Sequence, residues 1–144
     1  MSPILLADDD RDEAYLVVRA FKDAGVARPV VVVPDGEAVL RYLQGAGEYA
    51  DRVAHPPPCL LLLDQKLPGR SGLEVLEWVR NGSGIPTLPV LVLSASTYAC
   101  DVQAAYLVGA NGYLVKPATF EETIEMAKAI NAYWLGFNRA PTAR

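Results

Sequence analysis

The chain has 144 residues, of which 51% are hydrophobic and 21% charged, and its formal net charge is -4. This length and composition are typical of one globular domain with a hydrophobic core of its own. The acidic balance argues against non-specific nucleic-acid binding, which depends on Lys and Arg side chains placed against phosphates. The start of the chain has no signal-peptide pattern, and no apolar run is long enough for a membrane span. We therefore expect a cytoplasmic protein with neither a nucleic-acid nor a membrane partner.

Five short apolar segments predict β-strands. They are residues 3–7, 30–33, 59–63, 89–93 and 112–115. The third, Cys59-Leu-Leu-Leu-Leu63, runs from three prolines into Asp64 and is left at Pro68-Gly69, which is typical of a short strand buried on both faces. Strands of that kind belong to parallel sheets that helices cover on both sides.

Segments with helical periodicity follow these strands. The first places Ala14, Val17 and Phe21 at helical spacing, begins after the acidic run at 8–10 and ends at Gly25. The others are predicted from residue 36, over 72–81, up to about 108, and from a capping box at 119–122 to about 135. Residues 45–58 are rich in Gly and Pro and are predicted to form an irregular loop.

The alternation of five strands with five helices predicts the fold class. Crossovers between parallel strands are right-handed, so the economical arrangement is an α/β doubly wound parallel sheet. We place one domain at residues 1–136 and leave 137–144 as a C-terminal tail without a clear structure signal.

Polar side chains follow four of the strands at the point where each strand ends. Asp8 and Asp9 follow the first strand, Asp64 the third, Ser94 the fourth and Lys116 the fifth. The carboxyl ends of parallel strands meet at one edge of the sheet, where the ligands of open α/β folds bind. Taken singly, these residues have ordinary explanations as a helix cap, a turn, a polar loop and a surface lysine. Their joint occurrence at strand ends favours a functional site.

Carboxylates gathered at one edge require a counter-charge. Like charges a few ångströms apart repel by about 1–4 kcal/mol per pair, so one carboxyl stays protonated or a cation binds among them. Carboxylate oxygens suit Mg²⁺, and no Cys/His cluster competes for a softer metal. With such an ion bound, Asp64 can attack phosphorus and form an aspartyl phosphate. Lys116 would supply a second positive charge and Ser94 a hydrogen bond.

Four motifs together resemble the receiver domains of two-component response regulators. They are Ile4-Leu-Leu-Ala-Asp-Asp9, Leu63-Asp-Gln-Lys-Leu-Pro-Gly69, Val92-Leu-Ser-Ala95 and Gly109-Ala-Asn-Gly-Tyr-Leu-Val-Lys-Pro117. The resemblance covers nearly the whole chain and implies a flavodoxin-like sheet with strand order 2-1-3-4-5. It also implies a signalling protein that accepts a phosphoryl group from a histidine kinase and hydrolyses it slowly, rather than a metabolic enzyme.

The resemblance assigns roles to residues at the motif positions. Asp64 is the expected phosphoryl acceptor, and Lys116 is expected to be the catalytic lysine that is found in this family. Asp8 and Asp9, directly or through water, and the backbone carbonyl of Lys66 are expected to hold Mg²⁺ or Mn²⁺ together with Asp64.

The resemblance also implies a conformational switch. Phosphorylation adds a charge of about -1.5 to -2. Ser94 would move toward the phosphoryl group, and Tyr113 would turn inward into the vacated space, which would change the surface of the fourth helix and fifth strand. The Lys116–Pro117 peptide bond is expected to be cis.

Lys66 departs from the family pattern, in which Asn, Met or an acid often stands two residues after the phosphoryl acceptor. Its ammonium group could compete with Mg²⁺ for the acidic site.

Two alternatives to a signalling switch remain open. A haloacid-dehalogenase-type phosphohydrolase also uses a strand-end Asp, but that family has a second Asp where Lys66 stands here. A pseudo-receiver is never phosphorylated, and the complete acidic set argues against it.

A narrower resemblance is to stand-alone regulators paired with phytochrome-type histidine kinases. It rests on the longer segment 45–58 and on the ending Asn131-Ala-Tyr-Trp-Leu135. Such proteins usually form homodimers through the fourth helix, the fifth strand and the C-terminal region. The apolar ending either contributes to such an interface or covers the core at the end of the chain; it consists of Tyr133, Trp134, Leu135 and Phe137.

Overall fold

The computed structural model describes residues 1–141 and contains one parallel sheet with helices on both faces. The strands are β1 (Ile4–Ala7), β2 (Val30–Val33), β3 (Leu60–Asp64), β4 (Val90–Ser94) and β5 (Gly112–Val115). They pair in the order β2-β1-β3-β4-β5. The predicted α/β sheet with strand order 2-1-3-4-5 is confirmed. Both β3 and β4 begin and end one residue later than predicted.

The five predicted α-helices are present among the described residues. They are α1 (Arg11–Asp23), α2 (Gly36–Gln44), α3 (Gly72–Asn81), α4 (Ala99–Val108) and α5 (Phe120–Ala132). A short 3-10 helix, Gly47–Tyr49, lies within the predicted loop, and a π-helical turn, Tyr133–Phe137, continues α5.

Alternate residues of the central strand face opposite layers of helices. Leu61 and Leu63 pack in one apolar cluster with α2, α3 and α4, whereas Leu60 and Leu62 pack in a second cluster with α1 and α5. All five residues of β3 are buried. A strand that is covered on both faces needs apolar side chains at nearly every position, which explains the unbroken run before Asp64.

Side-chain caps fix where the helices begin. Asp10 Oδ1 accepts hydrogen bonds from two backbone N–H groups in the first turn of α1. The capping box predicted at Thr119 is only half formed, because Thr119 caps the backbone N–H of Glu122 but the return bond is not made. The complete capping box lies instead at the start of α3, between Ser71 and Glu74. Glu122 is exposed, and solvent can satisfy its carboxylate.

The predicted loop at 45–58 is held against α2 by a cluster of ring systems. Tyr42 is fully buried and donates its O–H to a backbone carbonyl of the loop at 2.9 Å. The Arg52 guanidinium lies 5.6 Å from the centroid of the Tyr42 ring. His55, for which the sequence indicates no role, packs edge-on against the rings of Tyr42 and Tyr49. These contacts explain how a segment rich in Gly and Pro stays close to the domain.

The apolar ending divides between the core and the surface. Trp134 and Leu135 pack against the apolar cluster on the side of α1 and α5. Tyr133 and Phe137 are 53% and 87% exposed. Residues 138–141 of the predicted tail form neither helix nor strand, and 142–144 lie outside the described residues.

Each helix within residues 1–141 is too short or too polar to cross a membrane.

The Lys116–Pro117 peptide bond is trans, which corrects the expectation of a cis bond. For a bond before proline the trans form is favoured by about 0.5–1 kcal/mol unless the surrounding structure selects cis. Lys116 makes its contacts at the edge of the sheet with the bond in this form.

Gly72, the first residue of α3, has no room for a side chain because the end of β3 lies against it. A Cβ atom there would lie 2.6 Å from the carbonyl oxygen of Asp64 and 2.8 Å from the Cα of Gln65. We expect Gly72→Ala to lower the free energy of unfolding in urea by about 1–3 kcal/mol, because the backbone must move. Gly82→Ala is the control and should lower it by clearly less, since the atom nearest to its Cβ would be at 3.3 Å and belongs to the Trp78 side chain rather than to the backbone. Equal stability of Gly72→Ala and wild type would contradict this packing.

Candidate functional site

Three polar side chains are buried among the described residues, and all three stand at the carboxyl ends of neighbouring strands. Asp8 follows β1, Asp64 ends β3 and Ser94 ends β4, and each is 4% exposed. Buried polar groups cost free energy unless they have partners. Their common position therefore marks this edge of the sheet as a candidate site, as the sequence predicts.

The carboxylates of Asp8, Glu13 and Asp64 form an acidic cluster. One oxygen from each lies within 4.8 Å of the other two. Glu13 belongs to the first turn of α1, which begins shortly after β1 and brings this carboxylate over the strand ends. Asp9, predicted as a metal ligand, is exposed and does not belong to the cluster. The structure thus brings together two of the predicted carboxylates and a third that the sequence does not single out.

The Lys116 ammonium group lies between two of these carboxylates. Its Nζ is 2.9 Å from Asp64 Oδ2 and 3.1 Å from Glu13 Oε1. Burial alone would lower the pKa of Lys116, but the hydrogen bonds to Asp64 and Glu13 outweigh it and raise that pKa above its ordinary value. Lys116 is therefore charged, and the predicted meeting of Asp64 with Lys116, 52 residues later in the chain, is present in the structure.

Asp8 has no ion-pair partner within 4.0 Å in the described part of the chain. Its pKa is raised from 3.8 to about 7, first by burial and then by the negative charges of Glu13 and Asp64. The backbone N–H of Asp10, which donates to Asp8 Oδ1 at 2.9 Å, acts in the opposite direction. A proton on Asp8 or a cation among the carboxylates relieves this repulsion. A donor set made only of oxygens fits a hard divalent ion such as Mg²⁺ or Mn²⁺.

The turn after β3 orients the Asp64 carboxylate. The Lys66 backbone N–H donates to Asp64 Oδ1 at 3.0 Å, while Oδ2 accepts from Lys116. The side chain of Lys66 is exposed and has no ion-pair partner within 4.0 Å among residues 1–141. The lysine that enters the acidic cluster is therefore Lys116 and not the residue close to Asp64 in sequence.

Ser94 and Tyr113 are connected through the loop after β4. Ser94 Oγ accepts from the Ser96 backbone N–H at 3.1 Å, and the Tyr113 O–H donates to the Ser96 carbonyl at 3.0 Å. The same Tyr113 O–H lies 3.4 Å from Gln65 Oε1, in the turn after β3. The Lys116 backbone N–H donates to the Ser94 carbonyl at 2.8 Å. One short loop therefore contacts both predicted switch residues.

Sequence reasoning does not single out Glu13, Gln65 or Ser96. Glu13 lies just beyond the acidic run, but an acid in the first turn of a helix is ordinarily explained by the helix dipole. Ser96 stands in a polar series, 94–97, that has no internal pattern. Each contact depends on the path of a turn or on the rotation of a helix, which hydrophobic periodicity does not report.

Comparison with known proteins finds relatives that match most of this chain. The family model of the response regulator receiver domain matches residues 4–128. The probable methanogenesis regulatory protein FilR2 of Methanothrix harundinacea is 37% identical over 141 residues, which cover 96% of this chain and 86% of FilR2. The response regulator Rcp1 of Synechocystis sp. is 33% identical over 140 residues, which cover 97% of this chain and 93% of Rcp1.

Solved structures share the fold over nearly the whole length of this chain. The Mn²⁺-bound form of Rcp1 superposes with a TM-score of 0.85 at 32% identity, covering 99% of this chain and 100% of that one. The phosphorylated cyanobacterial phytochrome response regulator RcpA superposes with a TM-score of 0.87 at 32% identity, covering 98% of this chain and 99% of that one.

The raised pKa of Asp8 predicts that the stability of the metal-free protein depends on pH. The folded protein keeps the Asp8 proton up to a pH of about 7, whereas the unfolded chain keeps it only to about 3.8. The folded state therefore binds more protons between these values, and stability falls as the pH rises through this window. A shift of this size corresponds to about 4 kcal/mol.

Urea unfolding in EDTA across that window measures the effect. We expect Asp8→Asn to remove most of the decline, because the amide carries no charge at any of these pH values. Asp12→Asn, an exposed residue of the same helical turn, is the control and should keep the wild-type slope. A wild-type free energy of unfolding that stays constant across the window would contradict the account of Asp8.

Proposed function

The chain belongs to the family of response regulator receiver domains, and from this premise we propose that Asp64 accepts a phosphoryl group and that the protein is a phosphorylation-dependent signalling switch. One observation carries the proposal. The buried Asp64 carboxylate ends the central strand with the Lys116 ammonium 2.9 Å away and the carboxylates of Asp8 and Glu13 beside it. Phosphoryl transfer to an aspartate needs a carboxylate nucleophile, a fixed positive charge and a place for a divalent cation.

The phosphoryl donor that we propose is the phosphohistidine of a histidine kinase. An oxygen of Asp64 attacks phosphorus, and the P–N bond breaks with its electron pair returning to the imidazole nitrogen, which takes a proton from solvent. The product is an aspartyl phosphate and a neutral histidine. Negative charge spreads over three equatorial oxygens during the transfer. Lys116 can pair with one of these oxygens, and the Ser94 O–H can donate to another.

We assign a divalent cation, Mg²⁺ or Mn²⁺, to the acidic cluster. Asp8, Asp64 and the backbone carbonyl of Lys66 are its proposed protein ligands, and the exposed Asp9 would act through water. When bound, the ion supplies positive charge to the phosphoryl oxygens. The raised pKa of Asp8, which results first from burial and then from the charges of Glu13 and Asp64, supports this assignment, because a cation among the carboxylates would stabilise their charged forms.

Two other functions use a similar strand-end aspartate. A haloacid-dehalogenase-type phosphohydrolase needs a second Asp two residues further on, and Lys66 with its exposed side chain occupies that position. A pseudo-receiver is never phosphorylated and does not need the complete set of phosphorylation-site residues. In this chain Asp64 and Lys116 are both present and in contact, which argues against a pseudo-receiver. We therefore favour slow hydrolysis, in which water attacks phosphorus, the P–O bond to Asp64 breaks, and inorganic phosphate leaves while the carboxylate is restored.

Incubation with acetyl phosphate and Mg²⁺ tests the central assignment. This small acyl phosphate replaces the kinase as the donor, and acetate is the leaving group. We expect the wild-type protein to gain the mass of one phosphoryl group in intact-mass measurements and to lose this reactivity in EDTA. Asp64→Asn should stay unmodified, because the amide is a poor nucleophile toward phosphorus.

Asp23→Asn is the matched control, since Asp23 is exposed at the far end of α1, and it should be modified like the wild type. A lasting adduct supports the signalling switch. Release of phosphate without an adduct would support the phosphohydrolase, and the absence of any reaction would support the pseudo-receiver; either result would contradict the proposal.

The output surface that we propose is formed by α4, β5 and α5. Ser94 would turn toward the phosphoryl group and release the Ser96 backbone N–H, and Tyr113, which binds the same loop, would follow. This surface exposes apolar side chains, since Tyr106 is 49%, Leu107 79% and Val115 46% exposed. Apolar side chains grouped at a surface favour protein–protein contact. We propose that a homodimer forms there.

The kinase that we propose is of the phytochrome type, with the exchange taking place in the cytoplasm. Support comes from the likeness, over nearly the full length of both chains, to the phosphorylated phytochrome response regulator RcpA. We expect faster phosphotransfer to Asp64 from a purified phytochrome-type kinase than from a histidine kinase of another class, when the two are compared side by side.

Beryllofluoride mimics the phosphoryl group and tests the switch together with the dimer. With Mg²⁺ it should shift the monomer–dimer equilibrium of the wild type in sedimentation experiments. Ser94→Ala should lose this response, because it lacks the hydroxyl that binds the mimic. Leu107→Glu should be monomeric in both states, since burying an unpaired charge is costly. Val53→Glu is the control because Val53 is 93% exposed and lies in the 45–58 loop.

Two results would contradict this scheme. A Leu107→Glu protein that associates as strongly as the wild type would remove the proposed interface. A full response of Ser94→Ala to beryllofluoride would remove the proposed switch.

A further inference from the structure

We propose that Glu13 is a positioning residue that holds the Lys116 ammonium in the unphosphorylated protein and competes with the phosphoryl group for it. The inference rests on the proposed function, because it requires Asp64 to be the phosphoryl acceptor. Glu13 lies outside the motifs that carry the family resemblance, and its role follows from its contacts in this chain.

Both carboxylate oxygens of Glu13 face the ammonium group of Lys116. The Nζ atom is 3.1 Å from Glu13 Oε1 and 3.2 Å from Glu13 Oε2, beside the 2.9 Å contact with Asp64 Oδ2. The side chains of Lys116 and Glu13 are 24% and 33% exposed. This partial burial limits the screening that makes most surface ion pairs ineffective.

Backbone contacts hold the two partners in place at the acidic edge of the sheet. The Glu13 backbone N–H donates to Asp10 Oδ1 at 3.1 Å, within the cap that fixes the start of α1. The Lys116 backbone N–H donates to the Ser94 carbonyl at 2.8 Å, which fixes the end of β5 beside β4. The Glu13–Lys116 pair, 103 residues apart in sequence, therefore bridges α1 and β5 across Asp64.

A phosphoryl group on Asp64 would compete for the same ammonium group. It carries a charge of about -1.5 to -2 and three strong acceptor oxygens. The ammonium has three N–H donors, and a donor directed at Glu13 is not directed at the phosphoryl group. The Glu13 charge also repels the added negative charge. Both effects favour the unphosphorylated state, so loss of the Glu13–Lys116 contact should strengthen binding of a phosphoryl mimic.

Two plainer explanations of Glu13 make different predictions. If the ion pair only joins α1 to β5, removing it lowers the stability of the fold and leaves binding of a phosphoryl mimic unchanged. If Glu13 acts only through its charge, any carboxylate in the first turn of α1 has a similar effect, and shortening Glu13 by one methylene has little effect.

Beryllofluoride titrations at saturating Mg²⁺ separate these explanations. We expect Glu13→Gln to bind the mimic about two- to fivefold more tightly than the wild type, which is the range for a partly exposed ion pair. Glu13→Asp keeps the charge but is too short to reach Lys116, so it should shift affinity in the same direction. Asp12→Asn removes an exposed charge from the same turn and should bind like the wild type. Urea unfolding confirms that each variant is folded.

Several results would overturn the role of Glu13. Equal or weaker binding by Glu13→Gln excludes competition for Lys116. A wild-type affinity for Glu13→Asp, or an Asp12→Asn shift as large as that of Glu13→Gln, excludes direct positioning in favour of charge at a distance. Failure of the wild type itself to bind beryllofluoride is a separate outcome, which removes the phosphoryl-acceptor assignment of Asp64 and the role of Glu13 with it.

Discussion

Carboxylates outnumber positive charges at the acidic edge of the sheet, and this imbalance determines which ions and groups the site can bind. Asp8, Glu13 and Asp64 hold three carboxylates within 4.8 Å of one another, and Lys116 is the one ammonium group paired with them among the described residues. Burial, together with the negative charges of Glu13 and Asp64, raises the pKa of Asp8 to about 7. A site in this condition is suited to a divalent cation and, once the cation is present, to an incoming phosphoryl group.

The hydrophobic core keeps these like charges together. The strand β3 is buried along its whole length and pairs with β1 and β4, so the side chain that ends it has little freedom to move away. Close packing of Gly72 against the backbone of Asp64 fixes the turn that follows. The free energy that holds the carboxylates near one another thus comes from apolar burial elsewhere in the domain.

The same edge of the sheet is joined to the proposed output surface by few hydrogen bonds. Ser94 and Tyr113 both contact Ser96, and Tyr113 also approaches Gln65 beside the proposed phosphoryl acceptor. A change in charge at Asp64 can therefore reach β5 and the start of α4 through one short loop. Glu13 adds a second connection, since it links α1 to Lys116 at the end of β5.

Local sequence pattern was enough to predict the parallel sheet and the meeting of Asp64 with Lys116, because apolar runs mark buried strands and parallel topology brings strand ends to one edge. The strand order came from the family resemblance. Which acid completes the cluster could not be read in this way. Asp10 caps α1, and the rotation of the helix brings Glu13 over the strand ends while Asp9 stays exposed. Spacing along the chain does not contain that rotation, since it depends on how α1 packs against β1 and α5.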